Sequence, residues 1–323
     1  MKFSFLSLFL AFFLFSCSSE SPSEEPNPEP AEKYFNNHKS LTTQTEVEDF
    51  GEKGFTVITG NLIIGVETSS DPITNLSSLS SLTSVRGDIV IIGTSLEDLD
   101  GLENIDLEDD SYLSLINNPH LMEIRGLRGI TGQLKQLDIR LSPKLESLAG
   151  LEGVTNVTYN LELRDLEKLN NLSALSNIQH PVEYLTLNQT GITSTTGLSN
   201  IPAVTDLSLF HNDNLISLHL AGLQQVKRFS ISHNSSLENI NGLTGLKEVE
   251  NFNIGYNASL QNLDGLETLE RPVNMSMSVS NNSSLGNFCG LQTLTSKGWT
   301  GFNAYQNLYN PTIEQVAGEE CQI

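Results

Sequence analysis

Leu207-Ser-Leu-Phe-His-Asn-Asp-Asn-Leu215 is followed 22 residues later by Phe229-Ser-Ile-Ser-His-Asn-Ser-Ser-Leu237, and 23 residues after that by Phe252-Asn-Ile-Gly-Tyr-Asn-Ala-Ser-Leu260. Each copy alternates apolar with small or polar residues, places Asn sixth and lands on Leu ninth. Such alternation predicts a short strand with one buried face. A second pattern follows the middle copy: Leu237-x-x-Ile240-x-Gly242-Leu243-x-x-Leu246-x-x-Val249. Its spacing of three predicts a helical or 3₁₀ return path. One strand plus one return, repeated, is the coil of a solenoid.

Working outward, the leading apolar residue of each strand is assigned to Leu62, Ile89, Leu113, Leu137, Leu161, Leu185, Leu207, Phe229, Phe252, Met277 and Phe302. The ten steps cover 240 residues, a mean period of 24, which lies in the leucine-rich-repeat range. Two residues after each leader stands a second expected core position, from Ile64 and Ile91 through to Val279 and Ala304. The sixth position reads Thr94, Asn118, Ser142, Leu166, Thr190, Asn212, Asn234, Asn257, Asn282 and Asn307. Where a coil turns, backbone groups leave the ladder and need buried partners, which stacked amides supply as both donors and acceptors. Leu166 breaks this column, so the middle of the solenoid is expected to be its least regular part. The N-x-S/T triplets at Asn234 and Asn257 read as ladder residues and not as glycan acceptors. Gly-Leu recurs along the returns, as at 126–127, 197–198 and 242–243, with Gly expected to permit the turn and Leu to plug the core.

The ends differ from this pattern. Residues 1–16 carry Lys2 and an apolar run, Phe3 to Phe15, that is too short to span a bilayer and reads as an export signal. The run ends Leu14-Phe15-Ser16-Cys17, which resembles a bacterial lipobox and makes Cys17 the expected lipidation site. Acyl chains would anchor the protein without a membrane span. Residues 17–40 are expected to form a disordered tether, acidic and Pro-rich in its SSESPSEEPNPEPAE stretch. An acidic stretch there resembles a surface-export signal in some Gram-negative phyla; a spacer is the alternative. Thr43-Gln-Thr-Glu46 has capping-box spacing, so 41–59 is expected to be a helical N-terminal cap. The solenoid is placed at 41–323, with 286–323 as its C-terminal cap. Cys289 and Cys321, the two thiols left in an exported chain, are expected to form a disulfide.

Net charge is −22, and removing Lys2, the one charged residue of the leader, takes it to −23. So acidic a chain argues against nucleic acid or anionic lipid as partners. No HExxH, P-loop, G-x-S-x-G or CxxC occurs, and no carboxylate pair stands apart from the general acidity, so neither an enzyme nor a cofactor is expected. Asp106-Leu-Glu-Asp-Asp110 is a candidate for weak divalent-cation binding, with a solvated acidic loop as the alternative. His211 and His233 hold the same position in successive coils, about one strand spacing (~4.8 Å) apart. Two imidazoles at that distance can share a metal, but no third ligand is in view, so no metal site is assigned.

Outward columns of the strands contain Tyr112, Ile116, Arg140, Arg164, Tyr184 and Phe210. Read as six consecutive strands spaced ~4.8 Å, they make one candidate ligand patch, with Arg and Tyr the residue types that dominate binding hot spots. The alternative is that Arg140 and Arg164 simply pair with Asp138 and Glu162 on adjacent strands.

The Gly60–Ile64 and Gly87–Ile91 strand starts, the N-x-x-L corners and the repeated Gly-Leu together resemble receptor L-domain-type leucine-rich repeats, found in insulin and growth-factor receptor ectodomains. Bacterial surface lipoproteins use the same coil. The resemblance covers Leu41 to the end and implies a right-handed solenoid that is mainly β, with short helical, 3₁₀ or irregular returns. The expected function is an outer-membrane, lipid-anchored recognition or adhesion module. Its strand face would bind a protein or glycan, and its only membrane contact would be the lipid anchor. A structural envelope spacer without a specific ligand is the alternative.

Overall fold

The computed structural model describes residues 31–270, 275–318 and 320–323. The leader, Cys17 and the acidic stretch up to residue 30 lie outside the described residues, and so do the expectations attached to them.

Twelve parallel strands form one long sheet whose spatial order follows the chain. The first six are β2 (Lys39–Leu41), β4 (Leu62–Ile64), β6 (Ile89–Ile92), β8 (Ser111–Ile116), β9 (Gly132–Arg140) and β10 (Val154–Leu166). The last six are β11 (Val182–Thr190), β12 (Ala203–Phe210), β13 (Gln225–Ser232), β14 (Glu248–Gly255), β15 (Ser276–Ser280) and β16 (Phe302–Tyr305). A four-stranded parallel sheet accompanies the first coils: β1 (Tyr34–Phe35), β3 (Val57–Ile58), β5 (Ser84–Val85) and β7 (Asp106–Leu107). From β9 to β14 its path is absorbed into longer strands, of which β10 reaches 13 residues.

The register pairs every expected leader with the next, Leu62 beside Ile89 and so on to Met277 beside Phe302. The leaders up to Met277 and their second positions up to Val279 are buried, and Phe302 and Ala304 of the last strand are partly so. Each buried aliphatic side chain contributes roughly 1.5–3 kcal/mol of transfer free energy, and successive layers meet directly, as where the Phe229 and Phe252 rings stack 4.7 Å apart.

The N-terminal boundary needs correcting. Tyr34–Phe35 pairs with Val57–Ile58, and Lys39–Leu41 pairs with Leu62–Ile64. Strand pairing therefore begins at Tyr34, inside the expected tether, and adds a twelfth strand to the eleven read from the sequence. Segments of two and three residues are too short to display a period. The helix α1 (Gln44–Gly51) belongs to this first coil, between β2 and β3. Thr43 Oγ1 accepts from Glu46 N at 3.1 Å, while the Glu46 carboxylate accepts from Thr42 N at 2.6 Å. The Thr42 N–H bond, and after it one from Thr42 Oγ1 at 2.9 Å, hold the Glu46 carboxyl below its usual range. Val47 and Phe50 are buried beneath α1.

On the return paths, 3₁₀ turns fall on the Gly-Leu pairs at Arg125–Leu127, Thr196–Leu198, Asn241–Leu243 and Cys289–Leu291. The glycine is needed there for close approach, not for backbone freedom. A Cβ on Gly197 would lie 1.8 Å from the Leu172 carbonyl oxygen of the preceding coil, and one on Gly242 equally close to Leu218 O.

At each corner the residue before the Asn column takes a left-handed conformation. Asn117, Leu141, Asp165, Gln189, His211, His233, Tyr256, Asn281 and Gln306 have φ between 53° and 59°, costly for residues other than Gly, roughly 1–2 kcal/mol each. The amide column offsets that cost by satisfying the turning backbone. Asn212 Oδ1 accepts from Thr190 N at 3.1 Å, and its Nδ2 donates to Leu187 O at 3.0 Å. Asn234, Asn257, Asn282 and Asn307 repeat the arrangement, each oxygen receiving the preceding coil's N–H. Asn310 closes the column by accepting from Asn307 N at 2.9 Å. Upstream the column is broken: Ser142 bonds only Arg140 O at 3.4 Å and Leu166 is apolar. The sheet is irregular in the same region, with register shifts between Ser111 and Tyr112, Val154 and Asn156, and Val157 and Asn160. The expectation of a less regular middle is met.

The last coil carries α2 (Gln292–Ser296) and α3 (Ile313–Ala317). Cys289 and Cys321 form the expected disulfide with Cα atoms 5.0 Å apart. Phe288 N donates to Cys321 O at 2.9 Å, and Trp299 Nε1 donates to Met275 O at 3.1 Å.

Candidate ligand-binding face

Alternation along the strands leaves three outward columns: the residue before each leader, the one after it and the third after it. Tyr112 and Tyr184 stand in the first column, and Ile116, Arg140, Arg164 and Phe210 in the third. All six are half-buried on the sheet face. They occupy five consecutive strands, not six, because Tyr112 and Ile116 share β8. Ile116, Arg140 and Arg164 are direct neighbours in register. Asn188 separates Arg164 from Phe210, and Gln136 and Asn160 separate the two tyrosines. The six residues are thus spread over two columns and do not form a single cluster.

The arginines pair along their own strands and not across to neighbours. Arg140 Nε lies 2.9 Å from Asp138 Oδ1, and Arg164 Nη2 lies 2.7 Å from Glu162 Oε1. A carboxylate two residues earlier shares the face of its strand, and the long arginine folds back onto it. Asp138 is buried under this cluster at 3% exposure. Burial pushes its carboxyl up to about 6, against the opposing pull of Arg140. Its Oδ1 and Arg140 Nε are close but lack hydrogen-bond alignment, so the contact is an ion pair only. Tyr112 is covered in part by Lys135, whose Nζ sits 5.5 Å from the ring centre.

The concavity of the strand face lies farther along. A groove of about 770 Å³ runs over β11 to β16, with Tyr184 and the Asp206–Arg228 pair along one wall. Its floor is the middle column: Thr186, Ser208, Ser230, Asn253, Ser278 and Asn303. The same column holds Ile63 and Val90 in β4 and β6, and Asp138 and Glu162 in β9 and β10; Ser114 of β8, a small member, is buried between them. Large or paired side chains fill the face there, whereas small ones leave it open. Of the six residues singled out from the sequence, Tyr184 borders the groove. Its wall position is supported by an edge-on contact with Tyr159, ring centres 5.3 Å apart. The floor itself was legible as a run of small polar residues at one repeat position.

Elsewhere, His211 and His233 stack with ring centres 4.7 Å apart, and Tyr256 continues the stack at 4.5 Å. Among the described residues, no three His, Cys, Asp or Glu side chains come together as a metal site. In the acidic loop, Asp109 and Asp110 accept hydrogen bonds from the backbone and side chain of Gln133. Asn234 and Asn257 are fully buried in the corner column. Among the described residues no helix is long and apolar enough to cross a membrane.

The family model described as Receptor L domain matches residues 55–126. The matched stretch runs from just before β3 into the 3₁₀ turn at Arg125–Leu127, and the leader register of those coils continues unbroken to β16. A receptor L domain is a ligand-binding module of receptor type. The groove lies outside the matched stretch. No curated protein matches the chain.

Proposed function

We propose that this protein is a recognition module of the cell envelope that binds its ligand in the groove over β11 to β16. The groove is the observation that carries the reading: an open trough of about 770 Å³ on a sheet face whose other half is filled. Concave sites with a few convergent polar groups are the default binding surfaces of folded domains, and the match to a receptor L domain over 55–126 agrees with a binding role. In this reading the coils form a right-handed leucine-rich-repeat solenoid with α1 in its N-terminal cap, and the protein is not an enzyme.

Cys17 carries the lipid anchor, and the acidic stretch after it holds the solenoid off an outer-membrane surface. Cys17→Ala moves the protein from the membrane fraction to the aqueous one; a variant that stays membrane-bound sinks the anchoring.

The binding face is tested by Ser230→Trp, which fills the groove floor without entering the core. With an unchanged melting temperature, it should lose saturable binding to arrays of surface glycans and proteins, while Glu238→Trp on a return segment keeps it. Equal binding by both variants removes the strand face from consideration.

A further inference from the structure

We infer that the ligand of this groove is a neutral polysaccharide chain lying across the strands, with one sugar unit per coil. The inference rests on the strand-face reading and adds the chemistry of the ligand, from three independent features.

The first is charge. The protein carries −22 overall, yet among the described residues the charged ones lining the groove are Asp206 and Arg228, which bond to each other. A basic peptide is drawn to unpaired carboxylates, and an anionic polymer to unpaired Arg and Lys. The lining offers neither.

The second feature is unused hydrogen-bonding capacity. Among the described residues, the side chains of Thr186, Ser208, Ser278 and Asn303 make no hydrogen bond to protein, and Asn253 and Ser230 share one long contact of 3.5 Å. Other hydroxyls and amides are tied into the fold, such as those of the Asn212–Asn310 column and the Ser77 and Ser173 turns. The floor is therefore a row of groups that both donate and accept, which suits a ligand made of hydroxyls.

The third is periodicity. Six strands give five spacings of about 4.8 Å, a trough roughly 24 Å long. A polymer lying across the strands meets an equivalent Ser, Thr or Asn at every spacing, which is close to the length of one sugar ring. An extended peptide advances about 3.3 Å per residue and repeats its facing every ~6.6 Å, so it drifts out of phase with the coils within two of them. Tyr184 at one end and the half-buried Phe302 at the other provide apolar surface for the outermost rings.

The test is calorimetric titration of the protein with uncharged cello-, manno-, malto- and xylo-oligosaccharides of two to eight units, with oligogalacturonate as the anionic control. At least one neutral series should bind, tightening about threefold per added unit, the worth of one net hydrogen bond. The gain should stop near six units, and raised salt should leave affinity unchanged. Asn253→Ala should lower the affinity of the six-unit ligand by about threefold. A stronger response to the anionic series, affinity independent of length, or no binding by any series overturns the inference. If Ser230→Trp blocks capture of a surface protein while no saccharide binds, the ligand class is wrong and the binding face stands. If a saccharide binds Ser230→Trp unchanged, the face itself is wrong.

Discussion

The strand face up to β10 and the strand face from β11 onward are built on the same leaders but differ in what they expose. The first half presents Ile63 and Val90, then Ser114 and Ile116 of β8, and then the Asp138–Arg140 and Glu162–Arg164 pairs. The second presents a neutral row of Thr, Ser and Asn. The corners differ in step. In the first half the sixth-position column is interrupted at Ser142 and Leu166, whereas from Thr190 to Asn310 it is continuous. Outward side chains help hold adjacent strands together through cross-strand and same-face contacts. A face stripped of them needs its coils fixed from elsewhere, and the buried amide column does that on the half that carries the groove.

The largest effect should follow from breaking that column. Asn257→Leu leaves Asn234 N–H buried without its partner and removes the Nδ2 bonds to Ile231 O and Asn282 Oδ1. At about 1–3 kcal/mol for the orphaned group and about 0.5–1.5 kcal/mol for each lost bond, the loss is roughly 2–6 kcal/mol by urea denaturation. Ser142→Ala in the interrupted half removes one 3.4 Å contact and should cost less than about 1 kcal/mol. Equal losses would mean that the two halves are held in the same way.

A somewhat smaller effect is expected at the end of the second half. Replacing Cys289 and Cys321 with Ser removes a link across 32 residues and should cost about 2–4 kcal/mol. Coils of a solenoid interact mainly with their neighbours, so amide exchange should rise in β15 and β16 and leave β4 to β8 protected. Uniform acceleration across all strands contradicts a division into halves.

The smallest effect belongs to the first half alone. Asp138 has its folded pKa raised from 3.8 to about 6, so the folded state holds a proton that the unfolded chain has released. The stability it contributes is present in full below about pH 3.8 and is lost as pH rises through about 6. The urea midpoint should therefore fall between about pH 4 and 6, and Asp138→Asn should flatten that fall. An unchanged pH profile in the variant would show that the carboxyl is not the source.

The repeating skeleton was legible because alternation survives in nearly every coil, the Asn-x-x-Leu corner recurs at Asn118, Asn212, Asn234, Asn257 and Asn282, and all eleven leaders stand in register. What escaped is instructive. Lys39-Ser-Leu41 offers one buried residue and no period, so its strand is defined only by the neighbour it joins. The alternative reading of Arg140 and Arg164 put their partners on adjacent strands, but a flexible side chain chooses between a carboxylate on its own strand and one on the next by its rotamer, which spacing does not encode. The groove was overlooked for a different reason. Weight went to Tyr112, Phe210 and the arginines because large side chains suggest contact, whereas a cavity is made by side chains that are absent. The same six floor residues, compared with Ile63, Val90, Asp138 and Glu162 at the equivalent position, carry the signal.

The amide column also makes length an inheritable variable. Every rung from Asn212 to Asn307 hands on the same pair of bonds, and Asn310 alone ends the series. Removing one whole coil, such as the 22 residues from Asn212 to His233, would bring Asn234 against Thr190 with the same chemistry. The trough would then be one spacing shorter, and a duplicated coil would lengthen it by one. A chain of this kind can be retuned to longer or shorter ligands by in-frame copying alone, with no new contact to invent. A folded 22-residue deletion with an intact exchange-protected core is the measurement that supports this, and an unfolded one refutes it.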